Sequence, residues 1–290
     1  MNNINIILLI IVIILSINLY FRSIPIKVLP YDVIVLGCAR DISIYLDTTK
    51  KKLHMINKMF RSTKIIIYEN DSTDNTLSVL RGWEDEGLIR LISETNVKGK
   101  RTERLARGRN ILYREGMKYS FDYMIVMDLD DVISRLSYNG IMSCFNTKED
   151  WGMIGSNQIF NYYDIWALRT IDSWLPFDCW YCNNIEKKGL KYCITDRVRH
   201  VSYFSNMIQV KSCFGGIAIY KRQYLDNCSY GDGVYHGTDI EICEHVVFNN
   251  CVVNNGGKIY INPKFINFYN FNIISNIMQN MKIVFFKYKN

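Results

Sequence analysis

Three acids stand within four positions, at Asp128, Asp130 and Asp131, directly after the apolar run YMIVM. Carboxylates this close repel one another unless protons or a cation neutralise them. Hard divalent ions such as Mg²⁺ or Mn²⁺ take carboxylate oxygens together with the phosphate oxygens of a substrate. Asp128 and Asp130 alternate by two, so an extended backbone points them apart and a turn must bring both toward one ion. A solvated turn would have the same composition. A second cluster, Glu69-Asn70-Asp71-Ser72-Thr73-Asp74, follows the apolar run KIIIY. Glu69 at the strand end can accept hydrogen bonds from a ribose or base, and the residues from Asp71 to Asp74 can equally cap a following helix. The third cluster is GTDIEICEH, residues 237–245. Read as a helix, it sets Glu241 and His245 on one face at i, i+4 and Glu241 and Glu244 at i, i+3. A solvated helix face and an internally bonded histidine are the plain alternatives.

The elements around these clusters must hold them. Residues 32–38, 64–69, 89–93 and 123–128 are short apolar runs rich in β-branched residues, which predicts buried strands. Helical spacing lies between them, over 41–60, 76–87 and 103–119. Strands alternating with such helices predict βαβ units and a mainly parallel α/β sheet. A doubly wound sheet binds its ligands outside the carboxyl ends of its strands, which is where the first two acid clusters sit. Beyond Asp131 the alternation fades. Residues 151–160 and 215–220 read as strands around an aromatic segment, 161–203, in which Tyr162, Tyr163, Trp166, Trp174, Trp180 and Tyr181 can line a core or present a platform to a sugar ring.

The chain has 290 residues, 49% hydrophobic and 22% charged, with a net charge of +7. That is globular chemistry; it excludes collagen, coiled coil, disorder and a polytopic membrane protein. The modest positive charge suits phosphates or an acidic membrane surface and gives no reason to expect nucleic acid. Residues 4–21 (INIILLIIVIILSINLYF) carry no charge and are long enough to span a bilayer. No small-residue cleavage site follows, which predicts an uncleaved anchor over 1–21. A stem over 22–31, a catalytic domain over 32–275 and a basic tail over 276–290 complete the expected organisation. Arg22 and Lys27 behind the span favour a cytosolic domain, whereas a type II arrangement would place it in a lumen. Nine cysteines cannot all pair within one chain. Cys179, Cys182 and Cys193 allow a local disulfide or, with His200, a zinc site, but unpaired thiols are expected. Two sequons occur, at Asn70 and Asn227; a glycan on Asn70 would block the second acid cluster, which leans against a lumenal domain.

The order strand, ENDSTDNT, helix, RGRN, strand, DLDD resembles the GT-A nucleotide-sugar glycosyltransferases, in particular family 2. Those enzymes carry a DDGSTDxT-like turn, an ARN-like helix and a DxDD-like strand end. Glu69 and Asn70 take the places of the turn's two acids, and Asp71 stands where the family has glycine. The resemblance covers roughly residues 32–132. FGGIAIYKR, residues 214–222, is similar to the acceptor-side glycine element, with Gly215 and Gly216. YYDIWALR and CEHVVFN resemble a group that includes capsular mannosyltransferase-like proteins and large-DNA-virus glycosyltransferases.

The resemblance implies that Asp128 and Asp130 hold a divalent metal (Mn²⁺ or Mg²⁺) and the donor diphosphate, with His245 as a third ligand. It implies that Glu69 contacts the nucleoside, Asp71 is among the donor-binding residues, Arg40 meets the diphosphate or base, and Arg109 braces the acids or a phosphate. Asp239, Glu241 and Glu244 are rivals for the general base, and Trp166 is an acceptor-side aromatic. The expected activity is transfer of a sugar from a UDP- or GDP-sugar to a hydroxyl of a glycan, lipid or protein. Nucleotidyl or phosphoryl transfer on a similar sheet and a degenerate anchored binding protein are the alternatives; no GxxxxGK or GxGxxG loop supports the former.

Overall fold

The structure is a computed structural model and describes residues 27–269. The expected anchor, the first part of the stem and the basic tail lie outside the described residues. Among those described, no helix is long and apolar enough to cross a membrane.

The first half is the expected βαβ series. Strand β1 (Leu29–Ala39) leads through a 3-10 turn to α1 (Leu46–Asn57), then β2 (Phe60–Asn70), α2 (Thr76–Asp85), β3 (Arg90–Glu94), α3 (Arg101–Gly116) and β4 (Tyr123–Asp128). The stem expected up to residue 31 ends earlier, because Leu29 is buried and its N–H bonds the carbonyl of Met59 at 2.7 Å. Strand β1 buries alternate residues on opposite faces. Ile34 and Leu36 pack with Ile66, Tyr68, Ala106 and Leu112 on one side; Val33 and Val35 pack with Ile65, Ile67, Leu53, Ile56 and Leu80 on the other. The period of two in a strand therefore feeds two separate hydrophobic layers, each aliphatic side chain contributing about 1.5–3 kcal/mol on full burial.

The second half adds α4 (Tyr138–Phe145), β5 (Met153–Ile159), β6 (Arg169–Thr170), α5 (Cys179–Asn184), α6 (Leu190–Cys193), β7 (Ile208–Ser212), β8 (Ile217–Lys221), α7 (Glu244–Asn254) and β9 (Ile259–Tyr269). All nine strands join one sheet in the order β3-β2-β1-β4-β8-β5-β9-β7-β6. Pairs β1/β2, β2/β3, β1/β4 and β5/β9 are parallel; β4/β8, β5/β8, β7/β9 and β6/β7 are antiparallel. The α/β expectation holds, but the sheet is parallel only in its first half and mixed beyond β4. Chain order runs outward from β1 to β3 and then resumes on the far side with β4. This places a topological switch point between the carboxyl ends of β1 and β4, where Cys38 pairs in register with Asp128.

The thiols differ from expectation. Cys182 bonds Cys193 and Cys228 bonds Cys251, while Cys179, the other half of the CxxC, stays reduced and buried. Spacing left a local disulfide open among Cys179, Cys182 and Cys193; in the fold Cys179 and Cys182 lie on the short α5 and the partner of Cys182 comes from α6.

Candidate active site

At the switch point Asp128 ends β4 and Asp130 opens the 3-10 turn Asp131–Ile133. Asp130 Oδ1 accepts from Val132 N at 3.2 Å, which folds the backbone after the strand. Burial, then the charge of Asp128, pushes the Asp130 carboxyl up to about 6. Burial also raises Asp128, against the pull of Arg109 and Arg101. Two carboxylates that each hold a proton too tightly are what an oxygen-seeking divalent cation relieves. Asp128 spends one oxygen on Arg109, Oδ1 at 2.9 Å from Nη2, and Asp130 spends Oδ1 on the turn. Each carboxylate keeps a second oxygen, so this donor set fits a hard metal ion.

Arg109 sits behind this pair. It is 3% exposed, with Nη2 on Asp128 and Nε donating to Glu244 Oε1 at 2.9 Å. Its Nη1 is buried without a hydrogen-bond partner among the described residues. The guanidinium thus ties α3, β4 and α7 together at one point. Gly108, the glycine of RGRN, makes the approach possible: a Cβ there would stand 2.6 Å from the Tyr68 ring and 3.2 Å from Cys38 Sγ. Any larger residue would push α3, and Arg109 with it, away from the strand ends.

The β2 end is built differently. Glu69 is buried, with Oε1 accepting from Ser72 N at 2.9 Å and Oε2 from Ser93 Oγ at 2.7 Å. Asp71 has φ 52°, the left-handed conformation that glycine adopts most easily. Its carboxylate reaches across the gap to Asn96 N at 2.5 Å and Val97 N at 3.0 Å and accepts from Asn70 Nδ2 at 3.0 Å. The bond from Asn70 leads in holding the Asp71 carboxyl below its usual range. Asp41 Oδ1 accepts from Thr73 N at 2.7 Å, and Asp74 Oδ2 from Ser43 N at 3.0 Å. These bonds lace the loop after β1 to the turn after β2. Glu69 and Asp71 therefore brace the turn with their own chain.

Three arginines lie within electrostatic reach of one another and of the acids. Arg104 is held below its ordinary range first by burial and then by repulsion from Arg40 and Arg101. Arg101 also pulls on Asp128 and Asp130. Arg40 is exposed, 3.6 Å from Asp41. Arg101 and Arg104 were not singled out from the sequence; the signal was the basic run KGKRTER at the start of a helix, where the N-terminal dipole adds to an anion site.

The late motif is corrected by the structure. Only Glu244 onward is helical; residues 237–241 form a loop closed by a bridge between Val234 and Glu241. Gly237 and the bridge turn the chain before a helix can start, so Glu241 and His245 do not share a face. Gly233 lies against α3 so closely that a Cβ would stand 2.4 Å from the Thr102 carbonyl. Glu241 accepts from Thr102 Oγ1 at 3.0 Å, and Lys100 Nζ donates to the Asp239 carbonyl. The Asp239 carboxylate is fully exposed. Glu244 is 3% exposed and committed to Arg109, which removes it as a general base. His245 is buried, stacks on Phe214 at 3.6 Å, and is held neutral by burial and by Arg109. Among the described residues no group of three His, Cys, Asp or Glu side chains is placed to hold one ion, and both ring nitrogens of His245 are buried without a hydrogen-bond partner among them.

Beside the end of β4 the Gly216 carbonyl accepts from Asp128 N at 2.9 Å, and a Cβ on Gly216 would stand 3.1 Å from the Tyr163 hydroxyl. Gly215 N donates to Asp164 Oδ2 at 2.8 Å. Both glycines have positive φ, 76° and 95°. Burial pushes the Asp164 carboxyl up to about 6, with Asp128 adding to the rise. Asp164 thus belongs to the site although its motif, YYDIWALR, had been read only for its resemblance. Trp166 packs on Trp180 at 4.3 Å against the core.

With this geometry in hand, the profile of Glycosyltransferase family 92 matches residues 53–150. That stretch takes in β2, α3 and the Asp128 strand end, and covers about a third of the chain. Among curated proteins none matches. Solved structures similar to this chain include a mannosyltransferase, PcManGT from Pyrobaculum calidifontis, in complex with GDP-Man and Mn2+, at 13% identity and TM-score 0.46, over 86% of this chain and 61% of that one. Another is S. aureus TarS 1-349 with UDP-GlcNAc, at 12% identity and TM-score 0.49, over 82% of this chain and 58% of that one. A third is glucosyl-3-phosphoglycerate synthase from Mycobacterium tuberculosis with Mn2+, UDP and phosphoglyceric acid, at 11% identity and TM-score 0.42, over 88% and 76%. The chain spans less than two thirds of the length of the first two. Likeness of this degree fixes no activity, and the site is read from its own residues.

Proposed function

We propose that the protein is a metal-dependent glycosyltransferase that moves a sugar from a UDP- or GDP-sugar to a hydroxyl of a glycan, lipid or protein acceptor, anchored to a membrane by residues 4–21. One observation carries the reading: Asp128 and Asp130 stand at the switch point with their carboxyls raised, beside mutually repelling arginines, in a stretch that matches a glycosyltransferase family. Asp128 and Asp130 would hold Mg²⁺ or Mn²⁺, which supplies charge neutralisation at a leaving diphosphate. Arg40, Arg101 and Arg104 offer the same oxygens charge-assisted hydrogen bonds, and binding an anion relieves their repulsion. Arg109 holds Asp128 in place and keeps Nη1 for a further oxygen. Glu69 and Asp71 fix the turn that faces the nucleoside. Asp239, on its exposed loop, would take the acceptor's proton; Glu241, bound to Thr102, is its rival.

The test is turnover of UDP- and GDP-sugars with Mn²⁺, with Mg²⁺ and with chelator. Turnover should vanish on chelation and return with metal. Asp239→Asn should retain donor binding and lose roughly 10²-fold or more in transfer. Turnover that persists in chelator removes the metal, and an unaffected Asp239→Asn moves the base to Glu241.

A further inference from the structure

We propose that the domain folds on the non-cytosolic side of a membrane and carries an N-linked glycan at Asn227. The inference does not depend on the transferase reading. Two sequons are present in the sequence, and the structure separates them. Asn70 is 8% exposed, the last residue of β2, paired in register with Glu94 and donating to Asp71. A glycan on it would have to displace the β3–α3 loop that Asp71 holds. Asn227 is exposed, in a left-handed turn with φ 58°, and Ser229 of the same sequon is exposed as well. An N-glycan needs such a surface turn.

The cysteines supply the second, independent observation. Cys182–Cys193 spans 11 residues and Cys228–Cys251 spans 23, and the bridges tie separate parts of the second half. Cys228 lies inside the sequon and pins that turn to α7. Disulfides of this structural kind persist in oxidising compartments and are rare in a reducing cytosol. Arg22 and Lys27 after the apolar segment argue the other way, but two basic residues are a small bias, whereas both bridges would open in the cytosol. The buried place of Asn70 also removes the second reason to expect a cytosolic domain: its sequon is closed off by the fold.

The chemistry balances with co-reactants of such a compartment. Each bridge forms as two thiols lose two protons and two electrons to a disulfide-bearing oxidant. At Asn227 the Nδ2–C1 bond forms to a polyprenyl-diphosphate oligosaccharide, the C1–O bond to the diphosphate breaks, and the amide loses one proton to solvent.

The experiment is expression of the full chain in cultured animal cells, with digestion of the membrane fraction by an endoglycosidase. The wild-type chain should lose one glycan. Asn227→Gln and Ser229→Ala should migrate as the digested chain before treatment, while Ser229→Thr and Asn70→Gln should keep the shift. Peptide mapping without reduction should recover Cys182 linked to Cys193 and Cys228 linked to Cys251. A chain indifferent to the enzyme, a shift lost only in Asn70→Gln, or alkylation of all nine cysteines without reductant would each overturn the proposal.

Discussion

The ends of β2 and β4 look alike in sequence, each an apolar strand running into several acids, yet they are electrostatic opposites. At β2 the acids meet donors. Asp71 takes two backbone N–H groups and an amide, and Asp74 is bonded by Ser43 and Thr76. Burial alone would raise Asp74, but the bonds from Thr76 and Ser43 outweigh it, and both carboxyls lie below their usual range. At β4 the acids meet each other and the interior, and Asp128, Asp130 and Asp164 all lie above it. An acid cluster satisfied by its own backbone is architecture. One left in tension with itself has capacity for a cation.

The sharpest way to break this contrast is Asp130→Ala. It should reduce sugar transfer and metal-dependent nucleotide binding by 10³-fold or more, about 4 kcal/mol of transition-state stabilisation, with the circular-dichroism spectrum unchanged. Full activity would make the β4 end architecture too. Next, Arg109→Met strands the buried Glu244 carboxylate and the half-buried Asp128 and should cost about 3–5 kcal/mol of stability in denaturant titration. Adding Glu244→Gln should recover part of the loss, since the pair is coupled; strict additivity would mean that the ion pair is not the link.

Asp164 gives a pH readout. Its folded carboxyl, at about 6, lies above the ordinary 3.8, so the native state binds the proton more tightly than the unfolded chain. The stability it contributes is complete below about pH 4 and falls as pH rises through 6. Asp164→Asn should flatten that slope, a difference of about 2–3 kcal/mol between pH 4 and 7, and an unchanged slope would assign it elsewhere. The smallest effect is expected at position 71. Asp71→Ala should melt lower than Asp71→Gly by roughly 2–4 °C, because glycine accepts the left-handed backbone and alanine does not.

Much of this was legible beforehand. Periodicity found the β1 to β4 series, and the acids at Asp128 and Asp130 lie where a parallel sheet collects its ligands. What stayed hidden depended on contacts between distant residues. The helical spacing of 237–245 was real as a pattern, but Gly233 and Gly237 turn the loop onto α3 instead. Glu244 looked like a solvent-facing acid until Arg109, 135 positions away in sequence, proved to bury it. The disulfide partners are set by how α5 and α6 fold back, which spacing does not encode. Arg101 and Arg104 were passed over because a basic run at a helix start carries no mark of the acids that the fold brings near it.

Position 71 shows that a bend can outlive the amino acid that usually marks it. Backbone freedom has been exchanged there for a tether, a carboxylate long enough to grip two amides on the neighbouring loop. Drift at this corner is therefore restrained from across the gap, and the loop carrying Asn96 and Val97 is bound to the same fate: a change that withdraws those amides would loosen the bend as surely as a change in the bend itself.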